Sequence, residues 1–95
     1  MSAGDDISGE ARPKLPRGVR LRQDEARGGP VLLAPERVVR ADPVAVAVLQ
    51  LCDGTRTLNQ LVDELCAAYK GDRTRIDTDV RALLADLAAK RMLDL

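Results

Sequence analysis

Apolar and charged residues alternate along the first part of the chain, and apolar residues follow a helical spacing further on. Residues 19–22 alternate, which is typical of a half-buried strand with Val19 and Leu21 facing the core. Residues 31–33 are more apolar, so we predict that they form a central strand. Residues 37–40 are predicted to form a third strand.

Two short turns connect these strands. Residues 24–29 form the first turn, in which Gly28 and Gly29 supply the positive φ angles that a tight hairpin needs. Residues 34–36 form the second. Because both connections are short, we expect an antiparallel meander, in which the third strand has a free edge unless a later segment covers it.

Asp42 and Pro43 mark the start of the first helix, because aspartate caps helix N-termini and proline suits the first helical position. Residues 44–48 are ambiguous by themselves, since their β-branched side chains also alternate as in a strand. The cap favours a helix, and so does the apolar face formed by Ala45, Val48, Leu49 and Cys52. Gly54 is expected to end this helix in a left-handed conformation.

Two further helices follow. Thr57 and Gln60 form a capping box for the second helix, and Gly71 is expected to end it. Its apolar stripe consists of Leu58, Leu61, Val62, Leu65, Cys66 and Tyr69. The third helix is expected to start at residues 72–74 and to end near Arg91, with one face made of Ile76, Val80, Leu83, Leu84, Leu87 and Ala88. Residues 92–95 are a candidate for a short terminal strand.

These elements predict an α+β fold in which an N-terminal three-stranded antiparallel sheet is followed by a three-helix bundle, a winged-helix-like order. Residues 1–12 are rich in Gly, Ser and Asp and lack periodicity, so we expect a disordered tail or linker there. The folded domain is expected to span residues 13–95. Its core must be aliphatic, because Tyr69 is the only aromatic residue of the chain.

Few groups in this chain could perform catalysis or bind a metal. There is no histidine, and Cys52 and Cys66 cannot complete a zinc site by themselves. We expect both cysteines to be free thiols, since a disulfide is unusual in a cytosolic protein. Neighbouring carboxylates such as Asp77 and Asp79 do not face each other on a helix. The sequence therefore predicts a protein that is not an enzyme and has no metal or cofactor.

Charge and hydropathy exclude some partners. Basic and acidic residues number 15 each, so the bulk charge predicts no attraction to nucleic acids or membranes. The N-terminus lacks the basic and apolar regions of a signal peptide, and no apolar run is long enough to cross a membrane. We therefore expect a soluble, cytoplasmic protein.

The winged-helix-like order raises nucleic-acid binding as an alternative, which would need a basic recognition helix. In the third helix the basic residues alternate with Asp77, Asp79 and Asp86, which would face the phosphates. Basic residues also outnumber acidic ones between Arg12 and Arg27. That segment is either a solvated face or a surface that steers an acidic partner.

The third strand is the main candidate for a binding site. A free edge offers backbone N–H and C=O groups to an added strand, which could come from a peptide or from a second copy of the chain. Each added hydrogen bond contributes roughly 0.5–1.5 kcal/mol net. The apolar residues of the third helix either complete the core or line a groove beside this strand.

Three segments resemble a known family. Residues 13–22 (PKLPRGVRLR) and 31–36 (VLLAPE) are similar to the opening of the PqqD family. Residues 49–58 (LQLCDGTRTL) resemble the L-x-L-x-D-G-x-R-T segment between the first two helices of that family. The resemblance extends over residues 13–95 in order and spacing.

The resemblance implies a function. PqqD proteins are peptide chaperones in the biosynthesis of pyrroloquinoline quinone (PQQ). They bind the ribosomal precursor peptide and present it to a radical SAM enzyme that cross-links a Glu and a Tyr. The peptide adds a strand beside the third strand and packs against the third helix. By this resemblance the domain is either a separate chain or fused to the preceding pathway enzyme. We expect a monomer or a weak homodimer, since the exposed edge could also pair with its own copy.

The resemblance also assigns candidate peptide-binding residues. The edge consists of Arg37, Val38, Val39 and Arg40, and the two arginines are expected to pair with acidic residues of the leader. The groove wall is expected to consist of Ile76, Val80, Leu83, Leu84 and Leu87.

Overall fold

Three strands precede three helices in the chain. The computed structural model describes residues 7–24, 26 and 28–95. Its elements are β1 (Arg20–Asp24), β2 (Gly29–Ala34), β3 (Arg37–Arg40), α1 (Pro43–Gln50), α2 (Leu58–Tyr69) and α3 (Arg73–Ala89). The sheet is antiparallel in the order β1-β2-β3. The predicted α+β order is therefore confirmed, and it is compatible with a winged-helix arrangement.

The register of the sheet separates a core face from an outer face. Leu21, Leu32 and Val39 lie opposite one another in one cross-strand row. Leu32 is buried, and Leu21 and Val39 pack against the core from partly exposed positions. The neighbouring row brings Leu33 opposite Val38 on the outer face. β2 is thus the central strand, as its apolar sequence predicts.

The first helix starts where the sequence indicates. Asp42 accepts a 2.7 Å hydrogen bond from the backbone N–H of Ala45, and Pro43 follows at the first helical position. The predicted apolar face is buried. The helix ends earlier than expected, at Gln50 with Leu51 as its C-cap, so the prediction that Gly54 ends it is wrong. Gly54 does have a positive φ of 83°, in the turn that follows.

Residues 7–12 form an N-terminal arm that packs against the helices, which differs from the disordered tail expected for residues 1–12. Ile7 is buried in the core, and its carbonyl accepts a hydrogen bond from the Arg81 side chain. The expectation for residues 1–6 falls outside the described part of the chain. The folded domain expected to span residues 13–95 therefore leaves out Ile7, which belongs to the core.

The arm also completes the N-terminus of α2. Thr57 and Gln60 form the predicted capping box, with hydrogen bonds of 2.9 and 3.2 Å. The backbone N–H groups of Leu58 and Asn59 donate to carbonyls of the arm, at Ala11 (2.7 Å) and Gly9 (3.1 Å). Those N–H groups have no partner within a helix. The arm therefore satisfies donors that the capping box leaves open.

A left-handed residue lies at the end of α2 and another lies just beyond α3. Lys70, with φ 53°, is the C-cap of α2, so the prediction that Gly71 closes this helix is wrong. α3 ends at Ala89, somewhat before Arg91, and Arg91 has φ 59°. The chain then reverses and buries Met92.

The C-terminus pairs with the N-terminal segment. Backbone hydrogen bonds of 2.9 and 2.8 Å join Lys14 and Asp94. This is an isolated bridge, so the terminal strand considered for residues 92–95 is reduced to one antiparallel pair outside the sheet. In the part of the chain that the structure describes, no helix is long and apolar enough to cross a membrane.

Candidate peptide-binding site

β3 is the edge strand of the sheet, and its backbone orientation follows from one hydrogen bond beyond its end. The N–H of Ala41 donates to the carbonyl of Pro30 at 3.0 Å. Directly bonded pairs recur at every second residue of an antiparallel ladder. In the observed register the next bonded pair is Leu32 with Val39. Val38 falls between bonded pairs, so its N–H and C=O point away from β2.

The side chains of β3 divide between the two faces of the sheet. Val38 is 43% exposed on the outer face, and Val39 packs against the core from the inner face. Arg37 and Arg40 are exposed at the two ends of the strand. β3 therefore offers an outward backbone edge with a positively charged residue at each end.

A cavity of about 570 Å³ lies between α1, the end of α2 and the first half of α3. Asp42, two residues beyond β3, lines it, so the cavity lies near the end of the β3 edge. Val44 and Tyr69 line it as well and are 65% and 63% exposed. An apolar cavity with exposed apolar residues at its rim is typical of a binding site.

The structure brings together only some of the predicted groove residues. Ile76, Val80 and Leu83 line the cavity. Leu84 and Leu87 do not, and with exposures of 0% and 2% they belong to the closed core. The wall predicted from five residues of α3 is therefore reduced to three, because the α3 stripe also serves the core. The four residues of β3 do not line this cavity.

Sequence reasoning missed the contribution of α1 and α2 to the cavity. Val44 and Ala47 of α1 and Tyr69 of α2 all line it. Val44 lies off the buried face of its helix. All residues of α1 except Gln50 are apolar, so apolar residues outside the predicted core face are a signal that could have indicated the cavity. Tyr69 belongs to the apolar stripe of α2, yet the buried residues of that stripe end at Leu65.

Gly71 makes room for one wall of the cavity. A Cβ atom at this glycine would lie 2.8 Å from Cδ1 of Ile76. Such a distance is too short for two carbon atoms. Ile76 therefore occupies space that only glycine leaves open, and this explains Gly71 better than the helix-ending role expected for it.

The D-G-x-R-T segment forms a compact loop between α1 and α2. Oδ1 of Asp53 accepts from the backbone N–H and the hydroxyl of Thr55, at 2.9 and 2.8 Å, and from the N–H of Arg56 at 3.2 Å. These hydrogen bonds, those from Thr55 first, lower the pKa of Asp53 to about 2. Arg56 also pairs with Glu64 of α2. The segment that carries much of the resemblance thus has a structural role.

Both cysteines are free thiols. Cys52 is buried, and its Sγ lies 3.3 Å from the carbonyl of Val48. Burial, with a smaller contribution from the charge of Asp53, raises the pKa of Cys52 to about 12, so this thiol is unreactive at neutral pH. Among the described residues, no group of three or more His, Cys, Asp or Glu side chains is arranged to hold a metal ion.

The charges of α3 are arranged unlike those of a recognition helix. Arg81 pairs with Asp77 at 2.9 Å, and Lys90 pairs with Asp86 at the same distance. Each pair joins residues one turn apart and neutralises a basic side chain. α3 therefore presents mixed charge, which disfavours the nucleic-acid alternative.

Known proteins are similar to this chain in sequence and in fold. The family model described as coenzyme PQQ synthesis protein D (PqqD) matches residues 29–93. A PqqA binding protein of Rhodopseudomonas palustris strain BisB5 is 51% identical over 87 residues, which are 92% of this chain and 85% of that protein. A bifunctional coenzyme PQQ synthesis protein C/D of Methylorubrum extorquens is 51% identical over 88 residues, which are 93% of this chain and 24% of that protein.

A solved structure supports the same relationship. The solution structure of the PqqD part of Methylobacterium extorquens PqqCD, described as a functional, stand-alone recognition element for ribosomally synthesized and post-translationally modified peptides, matches with a TM-score of 0.81. It shares 48% sequence identity, and the match covers 97% of this chain and 98% of that one. Family model, relatives and fold agree, and the chain belongs to the PqqD family.

Proposed function

We propose that this chain binds the ribosomal PqqA precursor peptide in PQQ biosynthesis. The relatives named as PqqA binding proteins support this function, since they match nearly the whole chain. The role is that of a binding protein that holds the peptide and leaves its chemistry to other proteins.

The binding mode we propose is strand addition at β3. The observation that carries it is the outward orientation of the Val38 N–H and C=O at the edge of the sheet. A peptide in an extended conformation would pair with these groups and continue the antiparallel order. Arg37 and Arg40, at the ends of the edge, would attract acidic residues of the peptide.

We also propose that the chain presents the bound peptide to a radical SAM enzyme and that it acts in the cytoplasm. Strand addition engages the backbone of a short segment only, so the remainder of a bound peptide stays accessible to an enzyme. The fused relative, in which a PqqC part and a PqqD part share one chain, supports cooperation between proteins of this pathway.

Calorimetric titration of the protein with a synthetic PqqA peptide tests the proposed function. Saturable binding of one peptide per chain is the expected result, with a scrambled peptide of equal composition as the control. The proposal is overturned if the protein binds both peptides equally well. It is also overturned if neither peptide binds, whether or not the radical SAM enzyme is present.

A further inference from the structure

Arginine side chains lie on the outer face of the sheet. Leu21, Leu32 and Val39 face the core, so the residues that alternate with them lie on the opposite face. These residues form two cross-strand rows, one of Arg20, Leu33 and Val38 and one of Arg22, Val31 and Arg40. All three arginines are exposed. The outer face therefore has apolar residues in its middle and arginines around them.

Val31 shows how the arginine side chains are arranged. It is 1% exposed, although it is not a member of the aliphatic core cluster. Its neighbours across the sheet are Arg22 on β1 and Arg40 on β3. The Arg40 side chain extends towards the turn between β1 and β2, since a Cβ atom on Gly28 would lie 3.6 Å from its Nη2. The arginine stems therefore cover Val31, and their guanidinium groups lie at the surface.

The basic residues of the sheet and those of the third helix differ in their partners. Three basic side chains at α3 form the ion pairs Arg73–Asp63, Arg81–Asp77 and Lys90–Asp86. Arg20 and Arg22, by contrast, form no ion pair with the other described residues. Asp24 is the only acidic residue in the three strands. The outer face thus has a net positive charge that the strands themselves do not neutralise.

We infer that the outer face of the sheet is the docking surface for the radical SAM enzyme that receives the peptide, and that it contacts an acidic patch of this enzyme, an inference that rests on the proposed function. Leu33 and Val38 supply an apolar centre beside Arg20. An apolar centre with arginines is typical of protein interfaces. Arginine also pairs with carboxylates through two parallel hydrogen bonds, which gives the contact a defined geometry.

The position of the outer face favours the peptide-modifying enzyme as its partner. Val38 belongs to two surfaces, because its side chain lies on the outer face and its backbone groups point to the β3 edge. An enzyme on the outer face therefore lies beside an added peptide strand without taking its place. Tyr69, the only aromatic residue, lies on α2, so the sheet offers no ring on which a base could stack. This disfavours a single-stranded nucleic acid as the partner.

Removing two positive charges from the outer face tests the inference. Arg20→Gln/Arg22→Gln is the test variant, and Arg73→Gln/Lys90→Gln is the matched control, which removes the same charge at α3. Biolayer interferometry measures the binding of each PqqA-saturated protein to the purified radical SAM enzyme of the PQQ pathway, at low and high salt. We expect the test variant to bind about tenfold more weakly at low salt, mainly through slower association, and to depend less on salt. The control should stay within about twofold of the original protein.

PqqA binding is measured in parallel, because it separates lost docking from misfolding. Arg20 and Arg22 lie on β1, two strands from the β3 edge, so the test variant should bind PqqA within about twofold of the original protein. Arg20→Lys/Arg22→Lys keeps both charges and should recover most of the affinity for the enzyme. If the double glutamine variant does not fold, the two single variants replace it, and each should bind the enzyme several-fold more weakly.

The outcomes separate this inference from the proposed function. If the test variant and the control bind the enzyme equally well, the outer face is not the docking surface and the inference is wrong, while binding of PqqA stands. If the original protein binds PqqA but not the enzyme, the inference and presentation to that enzyme both fail. The inference is also overturned if the test variant keeps its affinity for the enzyme and loses binding to a short single-stranded RNA, because the arginines would then serve a nucleic acid.

Discussion

Cδ1 of Ile76 lies 2.8 Å from the position that a Cβ atom on Gly71 would take. We predict that Gly71→Ala displaces the Ile76 side chain and weakens peptide binding several-fold. Its effect on the free energy of unfolding should stay below about 1 kcal/mol, because Cδ1 can rotate away and alanine reduces the freedom of the unfolded chain. Calorimetry with PqqA and urea unfolding measure the two effects.

The control for this variant is Ile76→Val, which removes Cδ1 and leaves Cγ1 at an ordinary 3.5 Å. In that background Gly71→Ala should have little further effect on binding. If Gly71→Ala weakens binding equally in both backgrounds, the contact between the two residues is not its cause.

Val38→Pro is expected to weaken PqqA binding at least about tenfold, because the lost N–H points towards the added strand and the proline ring occupies its place. Stability should fall by no more than about 1 kcal/mol, since proline is tolerated on an edge strand. Calorimetry and thermal unfolding measure both. Val38→Thr keeps the N–H and should bind within about twofold of the original protein. A folded proline variant with unchanged affinity would exclude strand addition at this residue.

Asp53 is expected to make the free energy of unfolding depend on pH in the acidic range. Its pKa falls from 3.8 in the unfolded chain to about 2 in the fold, so the ionised carboxylate stabilises the fold above pH 4. That stabilisation is lost as the pH falls from about 4 through 2. Asp53→Asn keeps an oxygen acceptor without this titration, and its urea midpoint should fall less over the same interval. If the urea midpoints of both proteins fall equally over this interval, the charge of Asp53 does not stabilise the fold.

The N-terminal arm is predicted to stabilise the domain. Ile7→Ala should lower the free energy of unfolding by about 2 kcal/mol, because it empties a buried site. A chain that starts at Pro13 should lose more, since Leu58 and Asn59 then lose the carbonyls that their N–H groups contact. Thermal unfolding measures both, with Glu10→Ala at an exposed position of the arm as the control. If the shortened chain is as stable as the original protein, residues 7–12 do not stabilise the fold and are a tail.

Much of the fold can be predicted from sequence because its signals are local. The cap at Asp42 and the capping box of Thr57 and Gln60 depend on residues within one turn of each other. The sheet order follows from short turns. Helix ends are less predictable, since Lys70 takes the left-handed conformation immediately before a glycine.

The site can be predicted only in part because it depends on contacts that are distant in sequence. An apolar stripe on α3 indicates a buried face but does not distinguish Ile76, at the cavity, from Leu84, in the core. Ile7 is a single apolar residue in a polar segment, and no periodic pattern indicates that it reaches the core. Both assignments require the three-dimensional packing.

Amide chemical shifts of isotope-labelled protein during titration with synthetic PqqA test strand addition most directly. We predict that the changes concentrate at residues 37–41 of the β3 edge and at Ile76–Leu83 of α3. The N–H of Val38 should also become protected from hydrogen exchange on binding. Saturable binding whose shifts avoid β3 and leave the exchange of Val38 unchanged would contradict the account.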